Sequence, residues 1–268
     1  MSESERHPDG GVTVERRGAL LLVGFDRPEK LNGLTPKMMR ELSEALTTLD
    51  EDPELLAGVV FGHGERGFTA GLDLPRWTEG MKGGAGERDG SRRLDPFALG
   101  PRACRKPVVC AVHGVTYTAG IELMLACDMV VAADDCRFSQ LEPKRGIMAT
   151  GGATFRFVER GGWGNAMYHL LVVDEFDAAE ARRCGFVQEV VPAGQQLDRA
   201  IALAEKVAAL APLAIQATKA NARRYLREGE PACIAELGEV QQRLANSEDA
   251  AEGVASFVER REPVFRGK

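Results

Sequence analysis

The feature that most constrains the fold is the apolar run at residues 108–112, Val-Val-Cys-Ala-Val. A short run of this kind, bounded by Pro107 and by His113-Gly114, predicts a strand that is buried on both faces. A second apolar segment at residues 119–126 predicts a helix, with Thr118 as its N-cap. Glu122 is the one acidic side chain in that helix and has no cationic neighbour in the sequence. The segment therefore predicts a carboxylate at the start of a buried helix.

A second glutamate follows at the end of the next predicted strands. Residues 129–132 and 137–139 read as short strands, and Glu142 stands after them, just before a glycine-rich loop. The two glutamates are twenty positions apart, one at a helix start and one at a strand end.

Composition excludes several classes of protein. The 268 residues are 44% hydrophobic and 28% charged, which is typical of a globular chain with a large core. The formal net charge of −6 argues against a nucleic-acid partner. Neither a membrane span nor a secretory leader is recognisable, so we expect no membrane partner and a cytoplasmic protein. The six cysteines are scattered, which favours reduced thiols over a disulfide framework or a metal site.

The chain order indicates an alternating α/β protein. Residues 1–11 are polar and predict a flexible tail, and residues 12–195 predict the core, which opens with a hairpin, a helix capped by Thr35, and a strand. Within the core, residues 75–100 form a polar insert that predicts either a mobile lid or a plain surface loop. Residues 196–268 predict a helical C-terminal region.

Common catalytic motifs are missing from the sequence. There is no P-loop, dinucleotide fingerprint or His-Glu-x-x-His signature, and no serine stands in a nucleophile elbow. We interpret His113, at a strand end, as a structural imidazole. What remains is the glutamate pair and two small-residue turns, Ala70-Gly71 and Thr118-Ala119-Gly120. These turns either form an oxyanion hole or merely allow close packing.

Over residues 12–265 the chain resembles the crotonase superfamily, the enoyl-CoA hydratase/isomerase family. The resemblance is carried by segments that occur in the family's order and spacing: DRPEKLNGL at 26–34, TAGLDL at 69–74, the stretch 106–128, FSQLEPKRGI at 138–147, and EGVASFVERREPVF near the C-terminus. It implies a crotonase-type spiral of ββα units with a helical C-terminal trimerisation region. The implied assembly is a homotrimer or a dimer of trimers.

The resemblance also implies the roles of individual residues. Ala70 and Ala119 would supply the two oxyanion-hole N–H groups, and Glu122 and Glu142 would be the two catalytic glutamates. The residues implied in coenzyme A or substrate binding are Arg27, Glu29, Lys30, Leu31, Ala70, Gly71, Leu72, Asp73, Trp77, Thr118, Lys219 and Phe257. The chain departs from the family pattern at Thr118-Ala119, where glycine is usual, and these side chains are expected to narrow the site.

The implied reaction is hydration of a 2-enoyl-CoA thioester through an enolate, with one glutamate as base and the other as acid. Two alternatives stay open: a double-bond isomerase, which needs one well-placed carboxylate, and an acyl-CoA-binding protein of low activity. No cofactor or metal is expected, since coenzyme A is part of the substrate.

Overall fold

The computed structural model describes residues 7–77 and 93–268. Most of the predicted N-terminal tail and of the predicted loop at 75–100 lies outside the described residues. Within them, ten strands form two sheets. The strands are β1 (Gly11–Arg17), β2 (Leu20–Asp26), β3 (Ala57–Gly62), β4 (Gly67–Thr69), β5 (Val108–Val112), β6 (Val115–Tyr117), β7 (Met129–Ala133), β8 (Arg137–Ser139), β9 (Phe176–Asp177) and β10 (Glu189–Val191).

The larger sheet has the order β1-β2-β3-β5-β7-β10. The β1–β2 hairpin is antiparallel, and the other neighbours in this sheet are parallel. Strand β5 lies at its centre, as its apolar run predicts. The side chains of Val108, Cys110 and Val112 enter one apolar cluster, and those of Val109 and Ala111 enter another on the opposite face. A strand in the middle of a parallel sheet is covered on both sides, so the hydrophobic run is continuous rather than alternating.

The smaller sheet has the strand order β4-β6-β8-β9. Each of β3, β5 and β7 is followed by a short strand of the smaller sheet, which gives the predicted ββ units. Strands β4 and β6 were not predicted, because each has only three residues and lies beside glycine. The turn into β6 requires Gly114 at φ +48°, where an added Cβ would lie 2.4 Å from the Arg66 carbonyl oxygen.

Four helices lie between or after these strands in the core. They are α1 (Pro36–Glu51), α2 (Ala119–Ala126), α3 (Ala153–Met167) and α4 (Ala178–Arg183). Helix α1 begins as predicted, since the Thr35 hydroxyl accepts a hydrogen bond from the Met38 N–H at 3.2 Å. Helix α3 is interrupted at Gly162, whose φ of 75° and ψ of 164° are not helical.

The C-terminal region is helical, as predicted. It contains α5 (Gln196–Ala208), α6 (Pro212–Glu228), α7 (Glu230–Ala245) and α8 (Glu248–Glu259). Helix α5 covers the outer face of the large sheet through Ala200, Ile201 and Ala204. Of the described helices, none alone is long and apolar enough to cross a membrane, and α5 with α6, bent by 107° at their junction, pass that test only as a pair.

Candidate active site

The first predicted turn is held in place by Leu34. The Leu34 N–H donates to the Gly71 carbonyl oxygen at 2.8 Å, and the Asp73 N–H donates to the Leu34 carbonyl oxygen at 3.0 Å. This is the pattern of a parallel β-bridge between Leu34 and Leu72, in which the N–H of Leu72 points to the other side. That N–H has no acceptor among the described residues.

The structure corrects the donor predicted in this turn. The Ala70 N–H donates to the Leu31 carbonyl oxygen at 2.9 Å and is therefore not free to bind a ligand. Gly71, directly after Ala70, has a φ of +97°, a conformation that favours glycine. The available donor is the N–H of the residue after the glycine, Leu72, which the sequence analysis placed only among the binding residues. The signal in the sequence that could have identified Leu72 is the preceding Gly71, because glycine is the residue that readily adopts positive φ in such turns.

The second predicted turn joins β6 to helix α2. Thr118 occupies the N-cap position at φ 49° and ψ −117°, and its side chain makes no capping hydrogen bond, contrary to prediction. Its backbone is fixed instead, because its N–H donates to the Ser139 carbonyl oxygen at 3.0 Å and its carbonyl accepts from the Glu122 N–H at 3.1 Å. Ala119 is the first residue of the helix, so its N–H has no helical acceptor.

The two turns contact each other. A Cβ added to Gly71 would lie 1.7 Å from the Thr118 hydroxyl oxygen and 3.1 Å from the Thr118 Cβ. Only glycine fits at position 71, and the turn that carries the Leu72 N–H lies directly against the turn that carries the Ala119 N–H. Sequence spacing could not establish this proximity.

Glu122 is buried, with 4% of its surface exposed, and is anchored by backbone donors. Its Oε1 accepts hydrogen bonds from the Gly151 N–H at 2.6 Å and from the Ala153 N–H at 3.2 Å, at the start of α3. Burial raises the pKa of Glu122, while these donors and the charge of Arg156 act in the opposite direction. Glu122 has no cationic neighbour in the sequence, but the fold brings the charge of Arg156 near it from a distant position in the chain.

Arg156 was missed by the sequence analysis. Its buried guanidinium donates to the Gly151 carbonyl oxygen at 3.0 Å and to the Phe97 carbonyl oxygen at 2.6 Å. It thus ties the loop that carries a Glu122 donor to the C-terminal part of the segment 75–100. The loop approaches closely, since a Cβ added to Gly151 would lie 2.6 Å from the Glu122 Oε2.

Glu142 opens a 3-10 turn, Glu142–Arg145, and is 8% exposed. Its Oε2 is buried and accepts no hydrogen bond from the described residues. Burial, together with the smaller effect of the Glu122 charge, raises the pKa of Glu142 to about 7. The two glutamates are therefore close enough to interact, and near neutral pH Glu142 is the one that retains a proton more readily.

Two of the predicted binding residues form an ion pair behind the first turn. The buried Arg27 guanidinium lies 2.6 Å from an Asp73 carboxylate oxygen and 3.0 Å from the Gly33 carbonyl oxygen. Asn32, which the sequence analysis did not single out, accepts from the Arg27 N–H and donates to the His63 and Gly67 carbonyl oxygens. These contacts hold the first turn in shape.

The other predicted binding residues are spread over the surface around the two turns and over the C-terminal helices. Glu29 and Lys30 are exposed, and Leu31 has a left-handed backbone at φ 51°. The Trp77 indole N–H donates to the Leu34 carbonyl oxygen at 2.9 Å, which places Trp77 at the first turn. Lys219 on α6 donates to the Lys106 carbonyl and pairs with Asp128. Phe257 on α8 is 84% exposed and is not a core aromatic.

Three possible metal ligands lie together in the described part of the chain, on elements other than those that carry Glu122 and Glu142. One ligand atom each from His169, Glu180 and Cys184 lies within 4.8 Å of the others. The Arg183 guanidinium already contacts both Glu180 carboxylate oxygens at 2.6 Å. A cation would have to displace this ion pair.

Comparisons with known proteins found similar sequences over nearly the whole chain. The sequence model of the enoyl-CoA hydratase/isomerase family matches residues 15–268. Enoyl-CoA hydratase EchA19 of Mycobacterium tuberculosis is 34% identical over 277 residues, covering 100% of both chains. The 2,3-dehydroadipyl-CoA hydratase of Escherichia coli is 33% identical over 262 residues, covering 96% of this chain and 99% of its own.

Solved structures show the same fold. A crystal structure described as a probable enoyl-CoA hydratase/isomerase from Mycobacterium abscessus superposes with a TM-score of 0.92 at 43% identity, covering 96% of this chain and 98% of the other. A second, an enoyl-CoA hydratase from Mycobacterium tuberculosis, gives a TM-score of 0.88 at 35% identity, covering 98% of this chain and 100% of the other.

Proposed function

Because the chain belongs to the enoyl-CoA hydratase/isomerase family, we propose that it hydrates a 2-enoyl-CoA thioester to a 3-hydroxyacyl-CoA. The observation that carries the proposal is that two buried glutamates with raised pKa values, Glu122 and Glu142, belong to one site. Helix α2, which carries Glu122, begins at one of the two facing turns with free N–H groups.

The substrate thioester oxygen would bind between the N–H groups of Leu72 and Ala119. When water attacks the β-carbon, negative charge moves onto that oxygen, and two backbone donors already in position stabilise it without reorganisation. A single donor of this kind typically lowers the barrier by roughly 3 kcal/mol. This assignment keeps Ala119 as a donor and replaces Ala70 by Leu72.

The surroundings of the glutamates assign the acid and the base. Glu122 accepts two backbone hydrogen bonds and lies near Arg156, which favours its ionised form and its role as base toward the attacking water. Glu142 has a pKa of about 7 and a buried oxygen that has no hydrogen-bond partner among the described residues, so it would deliver a proton to the α-carbon. The step adds one proton and one hydroxide across the double bond and needs no cofactor.

The coenzyme A part of the substrate would bind on the surface around these turns. The support is the position of Leu31, Gly71 and Trp77 at the first turn and of exposed Glu29 and Lys30 beside it. Lys219 and Phe257 are kept as predicted contacts to the nucleotide end.

We infer that the chain assembles as a homotrimer or a dimer of trimers. The support is the number of large apolar side chains that are exposed on the C-terminal helices of a single chain, since protein interfaces cover exposed apolar surface. They include Tyr225, Leu226, Ile234, Leu237, Val254, Phe257 and Val258.

The test is the loss of enone absorbance when the protein is mixed with crotonyl-CoA, compared with a Glu122→Gln variant. We expect the wild type to consume the enone and the variant to be slower by about 10³-fold, because a general base has been removed. Glu239→Gln, an exposed glutamate on α7, is the matched control. Equal rates for wild type and Glu122→Gln would contradict the proposal.

A double-bond isomerase is separated from a hydratase by the product. Incubation with a 3-enoyl-CoA yields a conjugated 2-enoyl-CoA only if the double bond moves. Binding of acyl-CoA without turnover of either substrate would favour the acyl-CoA-binding alternative.

A further inference from the structure

Thr118 has a backbone conformation that is unusual for its residue type. Its φ of 49° is shared by other non-glycine residues, but its ψ of −117° is not that of the left-handed helix. Leu31, Val173 and Arg260 have positive φ with ψ between 25° and 44°, which is the ordinary left-handed region. For a β-branched residue, the Thr118 conformation is a genuine outlier that glycine would adopt without strain.

The surrounding structure holds this conformation in place. The Thr118 N–H is bonded to Ser139 of β8, and its carbonyl is bonded to the N–H of Glu122. Strained residues of this kind persist where the fold over-determines them, and they are concentrated at functional sites. The question is what the threonine side chain contributes that glycine would not.

The side chain lies between the two turns of the proposed oxyanion hole. The Thr118 hydroxyl oxygen is 1.7 Å from the position that a Cβ on Gly71 would take, so it touches the backbone just before the Leu72 N–H. Ala119, with the other free N–H, is the next residue in the chain. The hydroxyl makes no hydrogen bond to any residue in the described ranges, and Thr118 is only half-buried.

We propose that the Thr118 hydroxyl is a third hydrogen-bond donor to the substrate thioester oxygen, beside the N–H groups of Leu72 and Ala119. The inference rests on the proposed function, because it concerns the same site. A hydroxyl rotates freely about its C–O bond, so it can turn its proton toward an oxygen on which negative charge develops. In this interpretation, the additional donor is what threonine contributes at a position where glycine would avoid the backbone strain.

Thr118→Val tests the donor directly. Valine has nearly the same shape and the same β-branch, so it keeps the packing against Gly71 and removes only the hydroxyl. We expect kcat with crotonyl-CoA to fall by about 10- to 100-fold with KM changed by less than about threefold, since a transition-state interaction is lost. Thr118→Ser should restore most of that kcat, because serine keeps the hydroxyl.

A purely structural role of Thr118 predicts a different result. Valine would then match the wild type, and serine, which lacks the methyl group, would be the weaker variant. A Thr118→Val enzyme with wild-type kcat would overturn the inference. Thermal unfolding of each variant shows whether a rate has changed because of a folding defect. If Thr118→Val does not fold, Thr118→Ser is compared with Thr118→Ala instead.

A second measurement separates this inference from the proposed function. Acetoacetyl-CoA ionises to an enolate that resembles the reaction intermediate and absorbs in the near ultraviolet, so binding needs no turnover. We expect the wild type to bind the enolate about tenfold more tightly than Thr118→Val, which is less than the roughly 10²- to 10³-fold loss of kcat for a missing backbone-type oxyanion donor. If the wild type hydrates no enoyl-CoA but shows this difference, the proposed function fails and the inference stands. Equal enolate binding, or none by the wild type, overturns the inference.

Discussion

Glu122 lies in the first turn of helix α2 with two backbone donors on one carboxylate oxygen, whereas Glu142 begins a 3-10 turn with a buried oxygen that receives no hydrogen bond from the described residues. Both are almost completely buried, so burial raises the pKa of both. The difference comes from what surrounds them: Gly151, Ala153 and Arg156 stabilise the anion of Glu122, and the anion of Glu122 destabilises that of Glu142. In the proposed mechanism, these surroundings make the same functional group a base at one position and an acid at the other.

Among the tests of this comparison, Glu142→Gln has the largest expected effect on the rate of hydration. The variant keeps the size of the side chain but cannot deliver a proton, so hydration of crotonyl-CoA should slow by about 10²- to 10³-fold. Exchange of solvent deuterium into the α-carbon of the product, followed by mass spectrometry, reports the proton transfer itself. If the variant hydrates at the wild-type rate, Glu142 is not the acid.

The next test is Gly151→Ala, which disturbs the loop that donates a backbone hydrogen bond to Glu122 and leaves Glu142 unchanged. The added Cβ would lie 2.6 Å from the Glu122 Oε2 and 2.8 Å from a Phe97 ring carbon, so Glu122 or the loop must move. We expect kcat to fall by about tenfold or more and the free energy of unfolding to fall by about 1–3 kcal/mol, as in an overpacked core. Gly164→Ala, where the Cβ meets no atom within 4 Å, is the matched control. Equal kcat values for the two variants would mean that Gly151 does not position Glu122.

The comparison also predicts the pH dependence of kcat/KM. The proposed mechanism requires Glu122 ionised and Glu142 protonated, so activity should fall at acid pH as Glu122 gains its proton, at a pH above the usual 4.5. It should fall again above about pH 7 as Glu142 loses its proton, by about tenfold per pH unit. The profile is measured with crotonyl-CoA from pH 4.5 to 9. An activity that stays constant from pH 7 to 9 would contradict the role of Glu142 as acid.

The last test concerns the free energy of unfolding and not the rate of hydration. The pKa of Glu142 rises from 4.5 to about 7 in the folded protein, so the protonated form is favoured there. Its stabilising contribution is complete below pH 4.5 and is lost as the pH rises through about 7. Glu142→Gln cannot ionise, and we expect it to be more stable than the wild type by roughly 3 kcal/mol at pH 8, with little difference at pH 4.5. Urea unfolding at the two pH values measures this, and a pH-independent difference would show that ionisation is not its cause.

Much of the fold could be predicted from local patterns. The apolar run of β5, the Thr35 cap of α1 and the helical C-terminal region each follow from neighbouring residues, and the structure confirms them. The three-residue strands β4 and β6 could not be predicted, because strands of this length carry almost no periodicity and are defined by their partners in the sheet.

The sequence by itself determined the family, the buried strand and helix that carry Glu122, and the presence of a second glutamate after β8. Only the tertiary structure decided which N–H groups are free, since the Ala70 N–H is bonded to the Leu31 carbonyl while that of Leu72 has no acceptor among the described residues. It also placed Arg156 beside Glu122 and Thr118 against Gly71. The physical reason is that a hydrogen bond or a charge acts through distance in space, and these partners lie up to dozens of residues apart in the chain.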